Sequence, residues 1–310
     1  MSTLQQQLED YLTLRRGLGF KLYAAGLYLQ DFVSFMEARR SEFITTARAL
    51  TWAQQPPTAA PSWWAQRLGF VRGFARYCSA IDKRTEVPAA SLLPFHGNRA
   101  NPYLYTGDEI GRLLQAALTQ PAEYGLQGWT YYCLLGLLAV TGLRIGEARA
   151  LTLDDVDLDQ GLLTIRSGKF GKSRLVPLHP STQDVWAEYL KHRHHFLAGR
   201  KANPLFVNLR GNQLDAGQVR RVFYRLSRQV GLRAQTASHG PRLHDFRHRF
   251  ALLALLQWYR DGQDVERRLP ALSAYLGHVN PSDTYWYLSA APELLGSAKA
   301  RLEGYWEKAS

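Results

Sequence analysis

The stretch from Val87 to Tyr105 holds Pro88, Pro94, Gly97 and Pro102 and shows no apolar periodicity. Proline and glycine at that density break helix and strand alike, so the chain is expected to fold as two parts on either side of it. A chain of 310 residues is long enough for each part to bury its own core. The expected division is a helical domain over 1–95, a linker over 96–105 and a second domain over 106–310.

In the first part, Leu4, Leu8, Tyr11 and Leu12 recur at helical spacing until Gly17 and Gly19 interrupt them. A second helix is expected over 23–40, with Leu27, Phe32, Phe35 and Met36 available for its apolar face. A third, over 62–78, interleaves Trp63, Trp64, Phe70 and Phe74 with Arg67, Arg72 and Arg76. The second part opens on Thr106-Gly107-Asp108-Glu109, a capping-box helix start. An apolar helix follows over 128–142. Two short strands, 162–166 and 174–178, flank a turn containing Gly168, Lys169, Gly171 and Lys172. Further helices are expected over 183–198, 216–230, 244–259, 265–276 and 292–307. The fold class is therefore mainly α with a small β-hairpin, an α+β arrangement.

With 46% hydrophobic residues the chain is globular, and its net charge of +12 calls for a polyanionic partner. Nucleic acid leads; an anionic membrane surface and a merely soluble basic protein are the other readings. The longest apolar run, Tyr131 to Val140, is too short to span a bilayer, which removes most of the membrane reading. The start, Met1-Ser2-Thr3-Leu4-Gln5, is polar and reads as a helix start, not a signal peptide. Cys78 and Cys133 sit in apolar helical patterns without metal-ligand company, so both are expected as reduced core residues of a cytoplasmic protein.

The chemistry lies in a set of basic residues. Three His-x-x-Arg matches occur, and only His244/Arg247 falls in a helical stretch. There, positions 244, 247 and 248 share one face while Phe246, Phe250 and Leu253 serve the core. A basic face at the start of an apolar helix needs an anion to offset its desolvation, and a helix N-terminus favours phosphate. Arg144 emerges from an apolar helix just before Glu147, which can orient it and leave donors free for a phosphate oxygen. Taken alone, such an arginine is more often structural. Taken together, two arginines can neutralise charge building on a phosphodiester, and Lys169 can protonate a leaving 5′ oxygen. Histidines can assist proton transfer, and a tyrosine can attack phosphorus and keep the bond energy for religation. No carboxylate cluster accompanies the set, so neither metal nor cofactor is expected.

This set, in this order, resembles the tyrosine recombinase family of phage-integrase-like enzymes, strongly over about 103–305. Residues 1–95 resemble the family's helical core-binding domain more weakly. Thr141-Gly142-Leu143-Arg144-Ile145-Gly146-Glu147, followed by Leu151 to Asp157, resembles the family's first box. Gly168 to Leu178 resembles its lysine hairpin, Leu243 to His248 its second box, and Leu276-Gly277-His278 with Tyr287 its third. The resemblance implies that Arg144 and Arg247 clamp the scissile phosphate and that Lys169 is the general acid. It implies that His244 and His278 assist, with Glu147 and His248 behind them, and that Tyr287 forms a 3′-phosphotyrosyl link. Two positions complicate it. Phe170 follows the lysine where the family has a small or polar residue. Tyr285 lies two residues, about 200° of helix, from Tyr287, and the family's nine-residue step from His278 selects Tyr287.

The implied partners are duplex DNA, three further copies of the chain on two DNA sites, and accessory DNA-bending or recombinase proteins. The implied task is integration, excision, transposition or resolution for a mobile element or replicon. A type IB topoisomerase, a catalytically silent DNA-binding relative and a generic basic scaffold stay open as alternatives. For DNA contact the candidates are Arg67, Arg72 and Arg76, then Lys172 and Arg174 on the hairpin, and Arg221, Arg225 and Arg228 on one helix face. His192, His194 and His195 beside Lys191 and Arg193 lack a Cys or carboxylate at ligand spacing and read as an exposed basic face. Leu294, Leu295, Ala298 and Leu302 mark an amphipathic tail, which packs on a neighbouring subunit in the family and on its own domain in the bland reading.

Overall fold

The structure, a computed structural model, describes residues 3–94, 102–121, 125–166, 173–278, 280 and 282–290, the last three as backbone only. Contacts divide the chain into two compact units, Met1–Ala100 and Asn101–Ser310.

The first unit is four helices: α1 (Leu4–Gly17), α2 (Tyr23–Glu37), α3 (Thr46–Ala53) and α4 (Pro61–Ile81). Thr3 and Thr45 cap α1 and α3 by accepting from the amides of Gln6 and Arg48, and proline occupies the first turn of α4. The core is Leu8, Leu29, Phe32, Val33, Met36, Trp52, Leu68, Val71, Phe74 and Cys78. Each large apolar side chain buried there contributes about 1.5–3 kcal/mol. The sequence reading missed α3, whose eight residues are too few to show a period. Leu27, expected on the apolar face of α2, is 74% exposed; Leu29 and Val33 take that place.

The second unit holds α5 (Gly107–Leu118), α6 (Gln127–Thr141), α7 (Ile145–Ala150), β1 (Val156–Asp157), β2 (Leu162–Ile165), β3 (Arg174–Pro177), α8 (Pro180–Leu197), α9 (Ala216–Gln229), α10 (Asp245–Arg260), α11 (Val265–Leu276) and α12 (Ser282–Ala290). The Thr106/Glu109 capping box starts α5 as the sequence predicts. The central α6 packs on α5, α8 and α10, which explains why it is apolar all round. The expected hairpin gains a third strand: the sheet runs β1-β2-β3, all antiparallel, with Leu163 opposite Val176 and Ile165 opposite Arg174. Alternation turns Leu163, Ile165 and Val176 into the core. Arg174 lies two residues before Val176 and so shares its inward face. A second cluster joins α10, α11 and α12 through Leu252, Leu255, Leu269, Leu272, Leu276 and Tyr287. No helix among the described residues is long and apolar enough to cross a membrane.

Cys78 and Cys133 are buried free thiols, and burial pushes that of Cys78 up to about 12. The expected exposed basic face of α8 is only partly so. Arg193 is buried, donating to the carbonyls of Ala202, Pro204 and Leu205, and His192 stacks on Trp129 at 4.4 Å. Among the described residues no cluster of three His, Cys, Asp or Glu could hold a metal ion. The amphipathic tail over 292–307 lies outside the described residues.

Candidate active site

Four chain segments meet. The first is the turn from α6 into α7. Gly142 ends α6 at φ +62°, where a Cβ would stand 2.7 Å from Phe250, so only glycine makes this turn at that spacing. Arg144 then caps α7. The Glu147 carboxylate accepts from the Arg144 amide at 3.1 Å and from its Nη1 at 2.9 Å. The second segment is the C-terminus of α11, closed by Gly277 at φ +65°. Its carbonyl accepts from Arg144 Nη2 at 2.8 Å, across 133 residues of sequence. His278 follows, its Nδ1 2.7 Å from the hydroxyl of the fully buried Thr284.

The third segment is the start of α10, with His244 at its N-cap. Arg247, 1% exposed, donates from Nη1 to the Gly142 carbonyl at 3.0 Å and from Nη2 to the Leu276 carbonyl. It thereby ties together the segments that carry Arg144 and His278. The fourth is α12, whose Tyr287 ring lies 5.5 Å from that of His248 and 6.3 Å from that of His278. The His244 ring stands 4.7 Å from His248 in turn. Tyr287 is 4% exposed and Tyr285 50%, the opposite orientations their two-residue spacing demands.

Three guanidiniums, of Arg144, Arg174 and Arg247, stand against the one carboxylate of Glu147, leaving an excess of two positive charges in this group. Burial, and then the neighbouring Arg144 charge, lowers the Arg247 guanidinium to about 10. Burial also lowers His248 and His278 to about 4, reinforced by His244 for the first and by Arg247 and Arg144 for the second. His244 is lowered too, by burial first and then by the Arg247 charge. Burial alone would raise Glu147, but its bonds to Arg174 and Arg144 hold it below the usual range. Such a group is electropositive, since no carboxylate besides that of Glu147 bonds these three guanidiniums among the described residues.

The histidine shifts carry a pH signature. An unfolded histidine titrates near 6.5, and these two do so near 4 when folded. Between those values the unfolded chain holds protons that the folded chain does not. The pH-dependent cost of keeping them neutral is therefore absent well above pH 6.5, and stability falls as pH drops through this window. Ring NMR of the DNA-free protein is expected to give midpoints below 5 for both, rising when DNA brings phosphate to the arginines. A midpoint near 6.5 for either in the free protein would refute the burial account.

The remaining candidates divide. Arg67 was expected to reach DNA but is 6% exposed. It stacks on Trp52 at 3.8 Å and donates to the Trp52 carbonyl at 2.9 Å, so its guanidinium is consumed inside the helical unit. Arg72 donates to the carbonyls of Pro88 and Ala89, tethering the segment after α4, while Arg76 is exposed. Arg221 and Arg225 are exposed on α9, Arg225 reaching Gln120 at 2.7 Å, and Arg228 is half-buried. Arg174 points inward to Glu147. Lys169, Phe170 and Lys172 lie outside the described residues. Sequence reasoning missed Thr284, which fixes His278, and Trp286, 5.4 Å from Tyr287; no motif marks either.

The phage integrase family matches residues 104–293, which span all four segments. The chain belongs to that family. Its relatives include a putative integrase/recombinase, y4rB, of Sinorhizobium fredii, 56% identical over 99% of both chains. The tyrosine recombinase XerD of Pseudomonas aeruginosa is 31% identical over 97% of this chain and 98% of its own. In fold, the chain resembles the XerH site-specific recombinase bound to its palindromic difH substrate, with a TM-score of 0.66 at 20% identity. That match covers 98% of this chain and 86% of XerH. As a family member the chain is a tyrosine recombinase, an enzyme that cuts and rejoins DNA at specific sites. The described part of this phage integrase domain carries five of the six residues expected to react; the sixth, Lys169, is outside it.

Proposed function

We propose that Tyr287 attacks a DNA phosphodiester to form a 3′-phosphotyrosyl link, with Arg144 and Arg247 neutralising the phosphate. Lys169 protonates the leaving 5′ oxygen, and His244 and His278 assist proton transfer. The observation that carries this reading is the network itself. Arg144, Arg247, His278 and Tyr287 come from segments up to 143 residues apart; carbonyl bonds from both arginines join the first three, and the His278–Thr284 bond ties in the helix that carries Tyr287. Donors of Arg144 beyond those two bonds have no partner among the described residues, so a phosphate oxygen can take them. The nucleophile and Arg247 are both covered in the DNA-free chain, so DNA must shift the elements around them before attack. A bond conserved as phosphotyrosine needs no energy source for religation.

The enzyme acts as four protomers on two DNA sites and exchanges strands through a Holliday junction. The two units hold the duplex, with Arg76, Arg221 and Arg225 as backbone contacts and Lys172 in the same role. Its setting is a bacterial mobile element or replicon, in the cytoplasm at the nucleoid. The decisive assay first selects the bound site from a random duplex library. Plasmids with one or two copies of that site are then offered, and the DNA complex is weighed by sedimentation. Recombinants and trapped junctions only from the two-site plasmid, with four protomers per pair, are expected. Relaxation of a one-site plasmid by a monomer would replace this reading with a type IB topoisomerase.

A further inference from the structure

The Glu147 carboxylate is saturated. A carboxylate offers about four lone-pair positions. Oε1 accepts from Arg144 Nη1 at 2.9 Å and Arg174 Nη1 at 3.2 Å; Oε2 accepts from the Arg144 amide at 3.1 Å and Arg174 Nη2 at 2.8 Å. The two arginines are not equivalent. Arg174 engages both oxygens with its two terminal nitrogens, the forked geometry in which arginine binds carboxylate best. Arg144 is left with one side-chain bond to Glu147 and turns its other terminal nitrogen to the Gly277 carbonyl.

We propose that Arg174 is a positioning residue and not a DNA contact. By occupying the forked position on Glu147 it keeps Arg144 from closing a two-bond ion pair there, and so keeps the Arg144 guanidinium available to the scissile phosphate. This rests on the reading of Arg144 as a phosphate ligand.

Three features support it. Arg174 is on the inward face of β3 and its side chain is only 14% exposed, so it has little surface to offer to a duplex. Its Nη1 and that of Arg144 stand 3.0 and 3.3 Å from where a Cβ on Gly277 would be, so both guanidiniums lie against the same glycine. Two like charges gathered on one carboxylate repel each other, and the shared, nearly buried Glu147 is what makes the pair tolerable. Without Arg174, Glu147 would have two vacant acceptor positions in a poorly hydrated place, and Arg144, which already donates to this carboxylate, is at hand to fill them. The guanidinium would then be drawn to the carboxylate and compete for it against the phosphate.

The test is the rate of covalent linkage to a nicked suicide duplex in single turnover, with DNA affinity measured separately across a salt series. Arg174→Met is expected to slow linkage about a hundredfold, the penalty of a group displaced by about an ångström, with affinity and salt slope unchanged. Adding Glu147→Gln removes the competing charge, so the Arg174→Met/Glu147→Gln double variant is expected to link at least tenfold faster than Arg174→Met alone. Arg174→Lys, which neutralises without forking, should fall between Arg174→Met and the natural protein. A merely structural Arg174 predicts that the second substitution makes matters worse, and that result overturns the proposal. So does a lower affinity on every sequence with the salt slope flattened by about 0.9, the mark of a direct phosphate contact. Melting curves select the variants compared; should Arg174→Met not fold, the Arg174→Lys and Arg174→Lys/Glu147→Gln pair gives the same comparison. Arg144→Ala serves as the control: if it links DNA at the natural rate, the underlying phosphate reading fails, whereas normal linkage by Arg174→Met beside an inactive Arg144→Ala refutes only the inference drawn here.

Discussion

Tyr287→Phe is expected to bind DNA with unchanged affinity and to form no covalent adduct at all. The phenolic oxygen is the only atom removed, and the ring contacts with His248, His278 and Trp286 need no hydroxyl. Packing in the α10–α12 cluster should survive, so a lost adduct reports on chemistry and not on folding. The assay is a duplex nicked near the crossover, followed by denaturing electrophoresis. Tyr285→Phe is the matched control: its ring is half exposed and faces away, and it should leave the shifted band intact. An adduct formed by Tyr287→Phe, or one lost from Tyr285→Phe, would show that the nucleophile has been misassigned.

The second large effect separates proton donation from charge neutralisation. Lys169→Ala should slow cleavage far more than it weakens binding, because an acid meets the leaving oxygen mainly in the transition state. A 5′-bridging phosphorothiolate expels a better leaving group and needs no acid, so it should rescue Lys169→Ala by orders of magnitude. Arg247→Lys should gain almost nothing from the same substrate. Losing one preorganised donor to developing charge typically costs about 10²–10³ in rate. Here the guanidinium also holds the Gly142 and Leu276 carbonyls, and a lysine cannot span both. Arg247→Ala is expected to cost about 3–5 kcal/mol of stability as well, since it unpairs buried groups on two segments. Comparable rescue of Lys169→Ala and Arg247→Lys would place the acid elsewhere.

Local signals carried far in this chain. The Thr106/Glu109 box starts α5, glycine ends α6 and α11 at Gly142 and Gly277, and the apolar runs gave most helices to within a few residues. These follow from interactions within one or two turns, so they can be read without knowing the partner. The short elements were less legible: α3 has eight residues and β1 two, and neither is long enough to establish a period. Arginine was the least legible residue. Arg67, Arg72, Arg76 and Arg174 look alike in sequence, yet one is sealed against Trp52, one tethers a loop, one is exposed and one grips Glu147.

What the sequence determined by itself was the ordered set of residue types that resembles the tyrosine recombinases, and with it the mainly helical fold class. Those rest on caps, periods and spacings, all short-range properties. Tertiary structure alone decided the partner of each charged side chain. Arg247 finds its acceptors 105 and 29 residues away, Arg174 its carboxylate 27 residues away, and His278 a buried threonine on the next helix. A long cation can satisfy its donors on any carbonyl or carboxylate the fold brings near, and the cost of leaving a buried donor unpaired makes that choice binding. Charge counting along the chain cannot see it, because which arginines remain free for DNA is settled only after the buried groups have taken theirs.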